Sequence, residues 1–173
     1  MNNPRVRAVL LFLLVLAFGV LIFGGYLIKK EKPPIPVIVK SESGSAVFSA
    51  RDVIDGQNYY FSRGGQHIGT IWGHGSYLAP DWSADYLHRL GLYVAARYHG
   101  LDAATAARFT QKEFDALDGV EKAKLRAMVI RELKPNRYVP ETGELVYTAF
   151  QAEAFAHLVR YYTGLFRDGN ESM

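Results

Sequence analysis

Gly73-His74-Gly75-Ser76-Tyr77-Leu78-Ala79-Pro80-Asp81 is the stretch on which the reading of this chain turns. Permissive glycines open it, a proline closes it, and Asp81 stands where a helix N-cap is wanted. The stretch therefore predicts a tight loop that delivers the backbone into a helix. Downstream, Trp82, Tyr86, Leu90 and Tyr93 recur at helical spacing, predicting a helix over 82–98 that Gly100 stops. Upstream lie Gly56-Gln57, the pair Tyr59 and Tyr60, and Gly64-Gly65-Gln66-His67-Ile68-Gly69. These predict a helix over 50–63, broken by the Gly64-Gly65 pair, and a glycine-rich loop over 64–75.

Working outward, the region 29–46 reads as a proline-rich stalk and a turn. Pro33, Pro34 and Pro36 stiffen it, 37–39 has the character of a short strand, and 41–45 is a serine-rich turn. The folded domain is expected over 47–173. Residues 103–109 predict a short helix, and Thr110 with Glu113 spells a capping box. Residues 114–133 are helical in pattern, with an interruption at Asp118-Gly119, and 135–143 reads as a loop. Thr148 with Gln151 repeats the capping-box pattern and opens a helix to about residue 166; Gly169 stops it. No internal repeat is visible, and the expected fold class is mainly α.

The 173 residues carry 49% hydrophobic and 13% aromatic side chains, which excludes general disorder. The formal charge is only +3 and the basic residues are dispersed, so a nucleic-acid partner is not indicated. There is no cysteine, which excludes disulfides, thiolate metal sites and a C-x-x-C-H haem attachment.

Beyond an N-terminal tail, 1–7, the run 8–28 contains no charged residue. At about 1.5 Å per helical residue it reaches about 30 Å, the depth of a bilayer core. A cleaved leader would have a shorter apolar region and an A-x-A-like site, so a retained transmembrane helix is expected. Arg5 and Arg7 flank one side and Lys29, Lys30, Lys32 and Lys40 the other. A positive-inside count alone favours a cytoplasmic C-terminal domain, although long domains translocate largely regardless of charge.

Candidate chemistry is sparse. His67 and His74 suggest a metal pair within the glycine-rich segment, yet no third ligand stands nearby and structural hydrogen bonding is the simpler role. His88 and His99 read as surface or interface residues, and His157 sits on the terminal helix without an evident partner ligand. Trp72, Tyr77 and Trp82 suit packing or docking better than electron transfer. Asp81 and Asp85 are explained by helix capping and solvation. No nucleophile–base–oxyanion constellation is present, so a self-contained hydrolase is not indicated.

The combination of motifs resembles the haem-attachment region of a small cytochrome c. It resembles more closely the N-terminal region of quinol-dependent bacterial nitric oxide reductases, and more distantly the cytochrome c subunit of the two-subunit enzymes. Gly56 and Tyr60 match the start of that motif, and Gly73, Gly75, Tyr77, Ala79 and Pro80 its end. Gly65 and Ile68 then stand at the cysteine positions and Gly69 at the haem histidine: vestigial haem positions without ligands. The likeness continues through Gly24-Gly25-Tyr26, Ser41-Glu42-Ser43-Gly44, Lys134-Pro135-Asn136-Arg137-Tyr138, and Tyr161-Tyr162 before Leu165-Phe166. It spans about 18–169.

The resemblance implies a transmembrane helix followed by a cytochrome c-like helical domain lacking the haem-attachment motif. It implies a chain in the bacterial cytoplasmic membrane with its domain facing outward, against the charge count. In that family the chain continues into a polytopic catalytic domain of the haem–copper oxidase type, which holds haem b and non-haem iron and reduces two NO to N2O with quinol electrons. This chain ends at Met173, so those cofactors are expected in a partner, and whether it is a subunit or a fragment is open. No cofactor, metal or catalytic residue is expected in the chain alone. The loop Gly73, His74, Gly75, Ser76, Tyr77, Leu78, Ala79, Pro80 and Asp81 is the expected partner-docking element. In the two-subunit relatives the equivalent loop helps form a calcium site, which raises a shared calcium here. One loop cannot supply six oxygen ligands, so Tyr77 packing without an ion is favoured. The rival readings are an independent membrane-anchored binding or assembly protein, and a metal-delivery domain that needs His67 and His74 to converge.

Overall fold

The computed structural model describes residues 4–73 and 80–168. The chain divides after Ile35 into two compact units. The first is helix α1, Pro4–Glu31, whose most apolar window has a mean hydropathy of 2.8. None of its residues is buried. Its apolar side chains point in all directions, so no single face could satisfy them against a protein core. It has the length and composition to cross a membrane, properties that a secretory leader near an N-terminus shares.

The second unit begins at Pro36, earlier than the start expected near Val47. Strands β1 (Ile38–Ser41) and β2 (Ala46–Ser49) form an antiparallel hairpin. Its turn uses Gly44 at φ 85°, with Ser41 Oγ bonded to Ser43 Oγ and Ser45 Oγ at 2.6 Å each. Residues 135–143, expected to be a loop, contain β3 (Tyr138–Val139), and β4 (Glu144–Tyr147) follows. The sheet order is β2-β1-β4-β3, with β1 and β4 parallel, in register from Ile38 opposite Glu144 to Ser41 opposite Tyr147. This sheet was not expected, because its strands are two to four residues long and its central pairing is remote in sequence. The segment 38–41 therefore belongs to the folded unit, leaving only the residues before Pro36 outside it.

The rest is helical. Ser49 closes a capping box with Asp52 and starts α2 (Ala50–Ser62). Asp81 caps α3 (Trp82–Tyr98), accepting from Ser83 N at 2.9 Å and Ala84 N at 3.3 Å. Short helices α4 (Ala103–Ala106) and α5 (Gln111–Ala116) lead to α6 (Gly119–Leu133), which Asp118 caps. The break at 118–119 thus reflects a new N-terminus. The chain then passes through β3 and β4 into α7 (Ala149–Asp168).

Helix α3 packs against both α6 and α7. Leu90, Tyr93, Val94 and Ala96 meet Ala154 and Leu158 in one cluster, and Ala95 meets Phe114 and Leu125 in another. Phe155 carries α7 onto the sheet, with its ring centroid 4.9 Å from Phe48 and 6.3 Å from Tyr147.

Among the described residues, one acidic side chain is enclosed in this arrangement. Glu132 is 8% exposed and accepts from Tyr98 Oη at 2.7 Å and from Thr148 Oγ1. Its own carbonyl accepts from Arg137 Nη1 at 2.7 Å. Thr148 also closes the capping box of α7 with Gln151, so Glu132 links α3, α6 and the start of α7. Glu132→Ala strands two enclosed hydroxyls and is expected to destabilise the domain by about 2–4 kcal/mol. Urea unfolding of the full chain in detergent, followed by circular dichroism, checks this; an unchanged midpoint would refute the linking role.

Candidate functional site

The glycine-rich segment begins where α2 stops. Gly64 takes up φ 65°, and a single turn of 3₁₀ helix, Gly65–His67, follows. Gly65 is buried, and a Cβ on it would lie 2.2 Å from the Tyr60 ring. Tyr60 Oη donates to Gly69 O at 2.6 Å, holding the segment against α2. A Cβ on Gly69 would lie 1.7 Å from Trp82 Nε1. Both glycines are therefore steric requirements for two aromatic rings.

The ends of the following loop are fixed together. Thr70 N donates to Pro80 O at 2.8 Å, and Trp82 N donates to Thr70 O at 2.9 Å. Trp72 N donates to Ser83 Oγ at 3.0 Å. Trp72 itself is 75% exposed and has φ 55°, a left-handed conformation uncommon for a bulky side chain. Gly73, next to it, has φ 71°. Of the loop singled out by sequence, Gly73, Pro80 and Asp81 are placed; His74, Gly75, Ser76, Tyr77, Leu78 and Ala79 lie outside the described residues.

Rings fill the space beside this segment. Trp82 meets Phe166 edge-on at 5.2 Å and Tyr162 at 6.3 Å, and Tyr162 stacks on Phe166 at 6.3 Å. Tyr162 Oη donates to Asp85 Oδ2 at 2.6 Å, and Arg89 Nε donates to the same oxygen at 2.9 Å. Asp85 is thus an anchoring acceptor between α3 and α7, where sequence alone suggested capping and solvation. Burial, helped by that hydrogen bond, pushes the Tyr162 hydroxyl far above its ordinary range. Burial likewise raises the Tyr86 hydroxyl, with Tyr147 nearby adding to the shift. The rings border an open groove of about 460 Å³, which Ile68, Ile71, Trp72 and Leu87 also line. Tyr59, Phe61, Ile68, Leu87 and Phe166 all remain exposed, as does Trp72.

A covalent haem does not fit these residues. Gly65 and Gly69 face Tyr60 and Trp82 at separations that admit no side chain, so neither a thioether sulfur nor an imidazole has room there. Ile68 is 58% exposed, and the chain has no cysteine. Among the described residues no group of three or more His, Asp or Glu is placed to hold a metal ion. His67 is exposed, and its suggested convergence with His74 lies outside the described residues. His88 is exposed, His99 Nδ1 lies 3.2 Å from Glu121 Oε1, and His157 stacks on Tyr93 at 5.7 Å.

The domain after the apolar helix is mostly helical, and the chain has no cysteine for a C-x-x-C-H haem attachment. Residues 36–173 match the family model of the NorB cytochrome c-like domain of nitric oxide reductase, and the chain belongs to that family. No curated protein matches it. The matched region coincides with the second compact unit.

Gly69→Ala forces the Trp82 ring away from its partners. It is expected to cost about 1–3 kcal/mol, typical of overpacking, in denaturant unfolding of the full chain. Gly56→Ala, inside α2 where the added methyl meets nothing within 4 Å, is the matched control and should be as stable as wild type or up to about 1 kcal/mol more so. Equal stability of the two variants would contradict the ring-filled site.

Proposed function

We propose that this chain is the membrane-anchored, haem-free cytochrome c-like component of a quinol-dependent nitric oxide reductase. The family match over residues 36–173 carries the reading. The supporting observation is that Gly65 and Gly69, which the resemblance aligns with haem-attachment positions, are packed on Tyr60 and Trp82. A domain built this way supplies shape and contact, while the redox chemistry belongs to a polytopic partner with haem b and non-haem iron. There, two NO molecules, two electrons and two protons give N2O and water. Quinol electrons enter such a partner within the membrane, so a haem on this domain is not needed for delivery.

In this reading α1 is retained as an anchor in the bacterial cytoplasmic membrane, and the domain faces outward. The loop from Gly73 to Asp81 docks the partner, together with the exposed side chains of Ile68, Trp72 and Phe166 that adjoin its base. Trp72 suits an anchor: it is large, exposed and held in place through its backbone. Tyr77 packs on the partner without an ion.

Affinity purification from native membranes in mild detergent tests the assembly. The expected product contains an oxidase-like polypeptide, b-type haem and NO-consuming activity. Tyr77→Ala and Trp72→Ala should each weaken partner recovery on the order of tenfold or more, equivalent to losing about 1.4 kcal/mol or more at an interface. NO consumption should fall in step while the circular dichroism of the chain is unchanged. Recovery of no oxidase-like partner by the wild-type chain would end this reading.

A further inference from the structure

Away from the aromatic groove, α3, the connection from α4 to α5, and α7 enclose a cleft of about 400 Å³. Four basic side chains line it: His88 and Arg89 from α3, Arg108 from the connection, and His157 from α7. No carboxylate lines it among the described residues. Arg160 acts electrostatically on His157 from the same helix.

The acids near the cleft are already committed. Asp85 serves both Arg89 and Tyr162. Glu153 forms an ion pair with Arg97 at 3.0 Å and lies 3.5 Å from Tyr93 Oη. Arg89 is also turned over the Tyr161 ring at 4.0 Å. Arg108 and His88 have no side-chain hydrogen bond or ion pair among the described residues and are exposed enough to reach a ligand. Burial, together with the charges of Arg160 and Arg89, pushes the His157 imidazole below its ordinary value. Basic side chains lining the cleft therefore outnumber the one acid paired with them, Asp85 on Arg89.

We propose that this cleft is an anion site for a phosphate group, with Arg108, Arg89 and His88 as its donors and His157 at its wall. The Arg108 guanidinium offers a fork-shaped donor pair suited to a phosphate's several oxygens, Arg89 adds positive charge beside it, and the His88 ring offers a further N–H donor. That supply exceeds what a single carboxylate would satisfy. The phosphate is either free in solution or the headgroup of an anionic lipid; the chemistry is the same. The site is independent of the NO reductase assignment, because none of its residues belongs to the docking loop.

The test uses the full chain in an uncharged detergent at low ionic strength, titrated with inorganic phosphate and followed by calorimetry and by the imidazole NMR signals of His88 and His157. Saturable, one-to-one binding is expected at pH 6. Arg108→Gln and His88→Gln, both exposed positions, should weaken it about tenfold and about threefold at pH 6, and Arg108→Lys should recover part of the loss. In a parallel arm, the chain is placed in phosphatidylcholine nanodiscs with or without phosphatidic acid. Imidazole shifts that appear with phosphatidic acid, and vanish in Arg108→Gln, identify the headgroup as the source; shifts only with added phosphate identify the free anion. Absence of saturable binding in both arms, or binding that Arg108→Gln and His88→Gln leave unchanged, would overturn the proposal.

Discussion

The parallel pairing of β1 with β4 is the contact on which the domain's closure depends. Lys40 and Glu144, joined by an ion pair across it, are 104 positions apart. Such a pair cannot form locally, and closing a loop of that length carries an entropic cost that only the completed domain offsets. Val39, fully buried at the centre of β1, supplies part of that return, and the contact of Phe155 with Phe48 and Tyr147 supplies more. The hairpin leads through Ser49 directly into α2, and α2 in turn presents Tyr60 to the glycine-rich segment. The position of the candidate site thus depends on a strand that precedes every helix of the domain.

At the site itself, aromatic rings pack on the glycine-rich segment and border the open groove beside it. The space next to the segment is taken up by Tyr60 and Trp82, which Tyr162 and Phe166 continue into α7. Glycine at positions 65 and 69 is what allows this, and a larger residue there would have to displace a ring. Polar groups tie the assembly down at two points, Tyr60 on Gly69 O and Tyr162 on Asp85. Packing of this kind fixes a defined surface beside the glycine-rich segment.

Much of the helical frame is legible in the sequence because helix ends have local chemistry. The expected helix over 82–98 agrees with α3, since Asp81 caps it and Gly100, at φ 92°, ends the turn behind it. Thr110 with Glu113, and Thr148 with Gln151, form the reciprocal bonds that their spacing suggests. The sheet is not legible, because short strands paired across the chain leave no periodic trace; the prolines before β1 read instead as a stalk. The anchoring role of Asp85 is hidden in the same way: its partners Tyr162 and Arg89 come together only when α3 and α7 pack. The basic cleft is equally invisible to a local reading, its residues being distributed over three elements. The family resemblance, by contrast, is carried by glycines and aromatics of the loop region, and the match over residues 36–173 supports it.

The two tryptophans of this chain occupy opposite surroundings. Trp82 is held among Tyr162, Phe166 and Gly69, whereas Trp72 stands mostly in solvent ten positions earlier. Indole emission moves to shorter wavelength as the ring leaves water, so the domain carries two separable optical signals without any label. The long-wavelength component reports what approaches the loop base, and the short-wavelength component reports the integrity of the ring cluster behind it. Assembly and unfolding, which a single averaged signal would confuse, are in this molecule written in different colours.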